Sequence, residues 1–432
     1  MYEEALAYIH GTVKFDTKKI GLENITHLLH FMGNPHHKLK YIHIGGTNGK
    51  GSTTAMITSI LKAQGYQVGM YTSPYIEEFT ERIQVDGCHI DKAELARITA
   101  WVKGIIKKMT MAGYTHPTEF EIVTAIAFAY YYEKKCDYVV LEVGMGGLLD
   151  ATNVIASSMV TVLTSISMDH TEYLGNTIEA IAEKKSGIIK KDGVVVIYPQ
   201  IFPEAYNILS KKAWQQNATV ENVAAQNICI ISSTLAGSQF TIGTDEVFEI
   251  PLIGEHQVLN AVTAITAINM LCKHHGVKIE KDAIKKGLKR VNWPGRFELI
   301  NERPLFIVDG GHNFSGIQML KNTLSKYVGD KKMIFIIGML SNKEYKACVK
   351  EIVPLASQVI TTTPNHPKAL NAQLLAGEIK KIVPDVYPFH DYEDAVKKAL
   401  KDANDEDVIC AFGSLYLIGE IKKAHSRFAM ET

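Results

Sequence analysis

From about Tyr41 the chain alternates short apolar runs, rich in β-branched residues, with longer amphipathic stretches. The apolar runs are YIHIGG, VGMYTS, DYVVLEVG, MVTVLTSI and VVVIYP, and the stretch from Ser52 to Gln64 separates the first two. Continuous apolar runs of this length are typical of parallel strands that are buried on both faces, with helices as the connections between them. The pattern therefore predicts βαβ units on a mostly parallel sheet.

The pattern changes between about Asn227 and Leu252, where short alternating runs are separated by Gly and Ser turns. This texture predicts a small antiparallel appendage, followed by a long helix from His256 to about Lys273. The alternation of strands and helices then begins again with LFIVDGG, KMIFIIGML, QVITTTP, VYPFHD and VICAFGS. These runs predict a second doubly wound domain.

The junction between the two predicted domains is NWPGRFE, in which Pro294 and Gly295 should break the preceding helix. We therefore expect one domain over residues 1–292 and a second over residues 293–432. Two domains agree with a length of 432 residues, which exceeds what one hydrophobic core usually serves.

The charge composition favours a small-molecule partner. Lys plus Arg number 46 and Asp plus Glu number 46, so the chain lacks the basic field that gathers nucleic acid or anionic lipid. The six cysteines lie far apart without a C-x-x-C pair, which argues against a disulfide framework or a structural zinc site. The acidic N-terminus leads into no apolar run of signal-peptide or membrane-spanning length. We expect a cytoplasmic protein with neither a nucleic-acid nor a membrane partner.

A glycine-rich loop between an apolar strand and a helix is the strongest local signal for function. It comprises Gly46, Thr47, Asn48, Gly49, Lys50, Gly51, Ser52 and Thr53. Glycines let several backbone N–H groups face phosphate oxygens, and the helix N-terminus favours an anion. Lys50 would bridge the β- and γ-phosphates, and Ser52 or Thr53 would offer a hydroxyl to Mg²⁺. Because Ile44 replaces the usual first glycine and Gly51 is inserted after the lysine, a glycine-rich turn with a surface lysine stays as the alternative.

Two further residues follow strands at the edge where α/β sheets place their ligands. Glu142 ends the apolar run DYVVLEVG, where a carboxylate is costly without a cation, so it is a candidate Mg²⁺ ligand. The alternative is a buried Glu that pairs with Arg or Lys. His170 follows MVTVLTSI and is a candidate ligand for a second metal, or otherwise a structural histidine.

Ten stretches, in order along the chain, carry a family resemblance. They are GLENITHLLHFMGNP, HIGGTNGKGST, YTSPYIEEFTERI, EFEIVTAIAF, LEVGMGGLLDATNV, SMDHTEYLGNTIEAIAEKKSGIIK, GEHQVLNA, WPGRFE, DGGHNFSG and FGSLYLIGEI. Together they resemble the folylpolyglutamate synthase and dihydrofolate synthase family of the Mur ligase superfamily, over nearly the whole chain. The resemblance implies an α/β fold with a P-loop-type ATP-binding Mur ligase central domain, followed by a smaller Rossmann-like C-terminal domain. It also implies ATP and two Mg²⁺ ions as cofactors.

Position by position, the resemblance implies that Lys50 and Ser52 bind phosphate and Mg²⁺, and that Glu142 and His170 are metal ligands. It implies that Lys185 becomes carbamylated, which would turn an ammonium into an anionic oxygen ligand. Spacing alone favours a solvated helix face for Glu183-Lys184-Lys185. The resemblance further implies nucleotide contacts from Gln257, Asn260, Arg296, Asp309 and His312. Arg296 suits a phosphate clamp because its planar fork binds phosphate bidentately, and an interdomain salt bridge is its alternative.

On the folate side the resemblance points to Ser73, Arg82, Phe120 and Asp150, although Phe120 could equally belong to the core. The chain departs from the family pattern at three places. Leu148 stands where the family has arginine, Gly45 replaces alanine, and Ser341-Asn342-Lys343 replaces an acidic-Lys pattern. The loss of the arginine bears on the folate-side preference and leaves the ATP chemistry untouched.

These observations predict an ATP-dependent ligase that joins L-glutamate to the carboxylate of folate or tetrahydrofolate through an acyl phosphate, with dihydropteroate as a further candidate acceptor. Two rivals are a peptidoglycan-type Mur ligase and a switch protein that uses ATP only to change shape. About 40 residues precede Gly46, fewer than the UDP-binding domain of the first rival requires. We expect the enzyme to be a monomer.

Overall fold

The computed structural model describes residues 1–13, 21–223, 226–243 and 245–431. Its larger sheet has eight strands in the order β4-β3-β2-β5-β1-β6-β7-β8. Strands β2, β5, β1, β6, β7 and β8 run parallel, and β3 and β4 add an antiparallel edge. The strands are β1 Tyr41–Gly45, β2 Val68–Tyr71, β3 Ile83–Val85, β4 Cys88–His89, β5 Tyr138–Glu142, β6 Val160–Leu163, β7 Val194–Ile197 and β8 Thr219–Asn222.

Helices cover both faces of this sheet because its central strands are apolar on both sides. The first helices are α1 Tyr2–His10, α2 Glu23–Phe31, α3 Lys50–Ala63, α4 Lys92–Met111, α5 Glu119–Glu133, α6 Thr171–Leu174, α7 Ile178–Ser186 and α8 Pro203–Gln215. Short 3-10 helices lie at Pro35–Lys38, Phe79–Arg82 and Ala151–Val154. Side chains alternate along a strand, so Ile42 and Ile44 join the core beneath α3 while Tyr41 joins the core beneath α4 and α5.

The predicted antiparallel appendage is confirmed in the described residues. Strands β9 Ile228–Thr234, β10 Gly237–Ile242 and β11 Val247–Ile250 form a three-stranded antiparallel sheet. The long helix that follows is α9 Glu255–His275, which contacts α3 and the strands β6 and β7. It is succeeded by α10 Lys281–Lys289.

The second domain is built on a six-stranded sheet in the order β12-β13-β17-β14-β15-β16. All its strand pairs are parallel except β12 with β13. The strands are β12 Glu298–Glu302, β13 Leu305–Asp309, β14 Met333–Ile337, β15 Gln358–Thr361, β16 Val386–Pro388 and β17 Val408–Phe412. The helices are α11 Phe314–Tyr327, α12 Tyr345–Ile352, α13 Ala372–Ile379, α14 Tyr392–Asp402 and α15 Leu415–Glu431, with a 3-10 helix at Val353–Leu355.

The connection between the sheets differs in one detail from the sequence-based prediction. Helix α10 ends at Lys289, so Pro294 and Gly295 lie in a turn of the linker that follows and do not themselves end the helix. In this linker Trp293 packs on the helix that follows the glycine loop. A Cβ atom on Gly51 would lie 2.7 Å from Cζ2 of Trp293, closer than real contacts allow.

The α/β fold with two parallel-sheet units is confirmed, and the boundary between residues 292 and 293 stays a proposal. Among the described residues, no helix combines the length and apolar character needed to cross a membrane.

Candidate active site

The glycine loop leaves strand β1 and enters helix α3, as predicted. Gly46 and Gly49 have φ angles of 142° and 87°, which glycine adopts readily and other residues rarely do. The loop is also too crowded for side chains, because a Cβ on Gly46 would lie 1.8 Å from Thr164 Oγ1. Thr47 fixes the loop against the end of β6 by donating its N–H to Ser165 O over 2.7 Å. The sequence therefore places backbone N–H groups at the N-terminus of α3.

Lys50 is the first residue of α3 and is half-buried, with its Nζ donating to Thr47 O over 3.0 Å. Ser52 lines a cavity in front of the loop, whereas Thr53 is fully buried and its hydroxyl finds no partner among the described residues. The structure thus favours Ser52 over Thr53 as the hydroxyl that faces a bound ion. The turn interpretation with a surface lysine does not fit this geometry.

This first cavity, of about 390 Å³, lies between the two domains. It collects most of the residues proposed for nucleotide and metal, from both halves of the chain. Those that line it are Thr47, Asn48, Gly49, Lys50, Gly51, Ser52, Glu142, His170, Lys185, Gln257, Asn260, Arg296, Asp309 and His312. Asn260 donates to Gln257 Oε1 over 3.0 Å, and its side chain is packed against Gly49. Helix α9 therefore packs against the glycine loop and supports it.

Glu142 ends β5 and is 5% exposed. Burial raises the pKa of its carboxyl group, while the charge of Lys50 opposes this shift. Ser73 donates its N–H to Glu142 Oε2 over 3.3 Å. His170 precedes α6 with φ 49°, and burial lowers the pKa of its imidazole.

The described residues contain no group of three or more His, Cys, Asp or Glu side chains that could hold a metal ion by themselves. Proteins usually hold Mg²⁺ with one or two carboxylates, while phosphate oxygens and water complete the shell. Glu142 and Ser52 offer oxygen atoms to such an ion at the loop. Beside His170, a carbamate on Lys185 would add an oxygen ligand.

Lys185 is 4% exposed on α7, and its Nζ donates to Gly46 O over 2.6 Å. The neighbouring Glu183 and Lys184 point to solvent, so the prediction of a solvated face holds for them and is wrong for Lys185. Burial lowers the pKa of the Lys185 amine to about 7, and the charge of Lys50 adds to the effect. A neutral amine is the form that reacts with carbon dioxide, so the environment is compatible with a carbamate.

Arg296 and Asp309 meet where the linker enters the second domain. Asp309 accepts hydrogen bonds from Phe297 N–H over 2.8 Å and from Gly311 N–H over 2.7 Å, which fixes the linker to β13. Burial lowers the pKa of Arg296 and raises that of Asp309, and the charge of each opposes the shift of the other. The structure records no ion pair of Arg296 with any described residue, so the salt-bridge alternative is not supported.

A second cavity, of about 600 Å³, adjoins the first and shares Ser73 and His170 with it. Its wall includes the predicted folate-side residues Ser73, Arg82, Phe120 and Asp150, and also Leu148. The Arg82 guanidinium lies over the rings of Phe79 and Phe120, at 5.5 and 5.6 Å from their centroids. Phe120 is half-buried and packs on the core as well, so both interpretations of this residue apply.

Sequence reasoning missed the contacts that hold the two domains together above the first cavity. Asp169 pairs with Lys343 and lies 3.6 Å from His312 Nε2, and it accepts a hydrogen bond of 3.0 Å from Asn313. Asn313 also exchanges two amide hydrogen bonds, of 3.0 and 3.1 Å, with Asn48 of the glycine loop. The one available signal was the position of Asp169 directly before His170 in the segment that follows β6.

Comparison with known proteins defines the class. A family model described as the Mur ligase middle domain matches residues 44–268, and one described as the Mur ligase, glutamate ligase domain matches residues 295–415. The two models divide near the linker that carries Arg296. The chain is therefore a Mur ligase.

Relatives narrow the assignment further. The dihydrofolate synthase/folylpolyglutamate synthase of Bacillus subtilis (strain 168) is 36% identical over 98% of both chains. The folylpolyglutamate synthase of Mycobacterium tuberculosis, solved in complexes with ADP and AMPPCP, is 28% identical with a TM-score of 0.87 over 99% of both chains. A solved FPGS–AMPPCP–folate complex is 32% identical with a TM-score of 0.85 over the full length of both chains. The chain belongs to the folylpolyglutamate synthase and dihydrofolate synthase family, which confirms the predicted family, fold and class of ATP-dependent amide ligase.

Proposed function

We propose that this enzyme uses ATP and Mg²⁺ to join L-glutamate to the carboxylate of folate or tetrahydrofolate, with dihydropteroate as a further acceptor. The observation that supports this most is the junction of the two cavities at Ser73, beside Glu142 and the glycine loop. A carboxylate from the larger cavity can meet a phosphate from the smaller one there. Relatives with the same architecture bind AMPPCP, and one of them binds folate with it.

The reaction begins with a carboxylate, which is a poor electrophile. Attack of the carboxylate oxygen on the γ-phosphorus releases ADP and gives an acyl phosphate, and the amine of glutamate then displaces phosphate through a tetrahedral intermediate. Bound Mg²⁺ would neutralise phosphate charge, with Glu142, Ser52, His170 and a carbamate on Lys185 as its protein ligands. Lys50 binds the phosphates from the loop side and Arg296 from the linker side.

The position of Arg296 links catalysis to contact between the two domains. Arg296 is half-buried in the linker, and Asp309, whose charge acts on it, belongs to the second domain. The positive charge therefore reaches the phosphates only when the two domains are in contact. Because a site between domains excludes water, the acyl phosphate is protected from hydrolysis until the amine arrives.

The proposal is tested by ADP release from the purified enzyme with ATP and Mg²⁺, with tetrahydrofolate or dihydropteroate as acceptor, each with and without L-glutamate. We expect ADP and phosphate release that depends on both acceptor and glutamate, with a product heavier by one glutamyl residue in mass spectrometry. D-glutamate serves as the matched control for the amine substrate. Equal ADP release with and without glutamate would instead identify an ATP-driven switch protein, and the product masses decide which acceptor the enzyme uses. Gel filtration tests the expectation of a monomer.

A further inference from the structure

A chain of hydrogen bonds runs from the middle of strand β1 to Asp150 at the wall of the larger cavity. His43 is fully buried on β1, and its Nε2 atom lies 2.9 Å from Thr152 Oγ1. The Thr152 hydroxyl lies 2.5 Å from Asp150 Oδ1 and donates to it. Thr152 is also fully buried, so neither hydrogen bond is exposed to solvent.

The positions of the protons follow from the chemistry of the three groups when Asp150 is ionised. A carboxylate only accepts hydrogen bonds, so the single hydroxyl proton of Thr152 points to Asp150. The Thr152 oxygen must then accept a hydrogen bond from His43, which requires the proton of the neutral imidazole on Nε2. Burial lowers the pKa of His43 to about 3, helped by the charge of Lys190, so the ring is neutral near pH 7.

The other ring nitrogen of His43 argues against a purely structural role. Nδ1 is buried and has no hydrogen-bond partner among the described residues. An unpaired buried polar atom costs about 1–3 kcal/mol, and a leucine would fill a similar volume without that cost. The feature that distinguishes histidine from leucine at this position is the hydrogen bond to Thr152.

That hydrogen bond controls how Asp150 faces the cavity. Asp150 Oδ1 accepts from both the N–H of Thr152, over 3.0 Å, and its hydroxyl, while Oδ2 accepts from Met145 N–H over 2.8 Å. Oδ1 thus accepts two hydrogen bonds from Thr152, and backbone hydrogen bonds from Met145 and Gly144 also hold the carboxylate. If the Thr152 hydroxyl turned away, Oδ1 would lose a partner and the carboxylate could rotate.

We propose that His43 is a positioning residue, which orients the Thr152 hydroxyl and thereby presents Asp150 to a hydrogen-bond donor on the carboxylate substrate. The identity of that substrate as a folate or pteroate rests on the proposed function. His43 also lies three residues before Gly46 on the strand that leads into the glycine loop. Strand β1 therefore positions both the glycine loop, which follows it directly, and the carboxylate of Asp150, which it contacts through His43 and Thr152.

The test compares five variants by direct binding of folate and dihydropteroate, by the KM for ATP and by thermal unfolding. His43→Leu and Thr152→Val remove the hydrogen bond, whereas His43→Gln and Thr152→Ser keep a donor or a hydroxyl of similar reach. We expect the first two to weaken binding of the acceptor about tenfold, or about 1.4 kcal/mol, and the second two to restore it. The KM for ATP should change less than about twofold in all four.

His36→Leu is the matched control. His36 is also buried, and its Nδ1 finds no hydrogen-bond partner in the part of the structure that is described. It precedes β1 and packs against Phe128, away from the hydrogen bonds that join His43, Thr152 and Asp150. This variant should change the melting temperature and leave acceptor binding unchanged. A folded His43→Leu variant that binds the acceptor as tightly as wild type would overturn the proposal, as would a His43→Gln variant that binds as weakly as the leucine variant.

A measurement on the wild-type protein covers the case in which His43→Leu does not fold. Nitrogen NMR of labelled histidine, assigned by the signal that His43→Gln removes, should show His43 with its proton on Nε2. A proton on Nδ1 would overturn the proposed direction of the hydrogen bonds. Because binding and NMR need no turnover, a wild type that binds folate but lacks glutamate-dependent ADP release refutes only the ligase proposal.

Discussion

Two of the ion pairs between the domains of this enzyme lie in different surroundings, and they allow a quantitative prediction. Asp169 and Lys343 have side chains that are 6% and 7% exposed, while Glu172 and Lys368, 3.0 Å apart, are 50% and 42% exposed. Removing one partner of a buried pair typically costs about 3–5 kcal/mol because it leaves the other charge unpaired. An exposed pair contributes about 0.2–1 kcal/mol.

We expect Asp169→Asn to lower the free energy of unfolding by about 3 kcal/mol, because it leaves the charge of Lys343 unpaired. This value lies near the lower end of the range, because Lys343 can regain contact with water when the domains move apart. Lys343→Met should cost less, since Asp169 keeps the hydrogen bond from Asn313. The corresponding variants Glu172→Gln and Lys368→Met should each cost less than about 1 kcal/mol.

Urea unfolding, followed by both circular dichroism and tryptophan fluorescence, measures these free energies, and coincident curves establish a single transition. Two double-mutant cycles then give the coupling energies, which should exceed about 1.5 kcal/mol for the buried pair and stay below about 1 kcal/mol for the exposed one. Activity gives a second readout, because each 1.4 kcal/mol or so lost from the assembled, reactive site lowers kcat/KM about tenfold. Lys343→Met is the cleaner variant for this purpose, since Asp169 adjoins His170.

The pH dependence of stability separates the pairs as well. Burial pushes the pKa of Asp169 upward, but the hydrogen bond and charge of His312 and the charges of His170 and Lys343 prevail and hold it well below its ordinary value. A depressed carboxyl pKa stabilises the folded state above the unfolded value of about 3.9, and this contribution is lost as the pH falls below it. Wild type should therefore lose more stability between about pH 5 and pH 3 than Asp169→Asn does.

Equal coupling energies for the two ion pairs in the double-mutant cycles, within about 0.5 kcal/mol, would refute the reasoning.

Three further predictions concern the catalytic groups. Lys50→Ala should abolish turnover while the melting temperature stays near that of wild type, because it removes charge directed at phosphate and little packing. If the variant kept more than about a tenth of wild-type kcat, a barrier change of only about 1.4 kcal/mol, the role of Lys50 in phosphate binding would be contradicted. Glu142→Gln should raise the Mg²⁺ concentration needed for half-maximal activity sharply, since the amide keeps the shape and loses the charge, and an unchanged magnesium titration would make Glu142 structural. Lys185→Ala should be nearly inactive and partly rescued by acetate or formate, which would supply the missing oxygen ligands. Lys184→Ala is the exposed control. Wild-type activity of Lys185→Ala without rescue would remove Lys185 from the site.

The sequence was sufficient where function depends on neighbours along the chain. The glycine loop, its strand and its helix are contiguous, and apolar runs marked the strands of both sheets because those strands are buried on both faces. Glu142 and His170 could be placed because Glu142 is the last residue of β5 and His170 lies in the segment that follows β6. Lys185 could not be placed from spacing, since the helical pattern does not show which face a loop will cover.

The remaining features depend on contacts between distant segments. His43 and Thr152 are separated by 109 positions, and Asp169 and Lys343 by 174. Such pairs arise only when the sheet order and the domain arrangement are known. Pro294 and Gly295 show a related limit, because α10, which packs on α3, ends at Lys289, before the proline is reached.

The contact between Gly51 and Trp293 limits how this enzyme can change over time. The indole ring leaves no room for a methyl group on residue 51, and the same linker carries Arg296. A side chain at position 51 would displace the ring and, with it, Arg296, for which we propose a contact with the phosphates. Conversely, a smaller residue at position 293 would leave the linker without a stop against α3. We therefore expect residues 51 and 293 to change together, because a substitution at either position alone should give a less active enzyme.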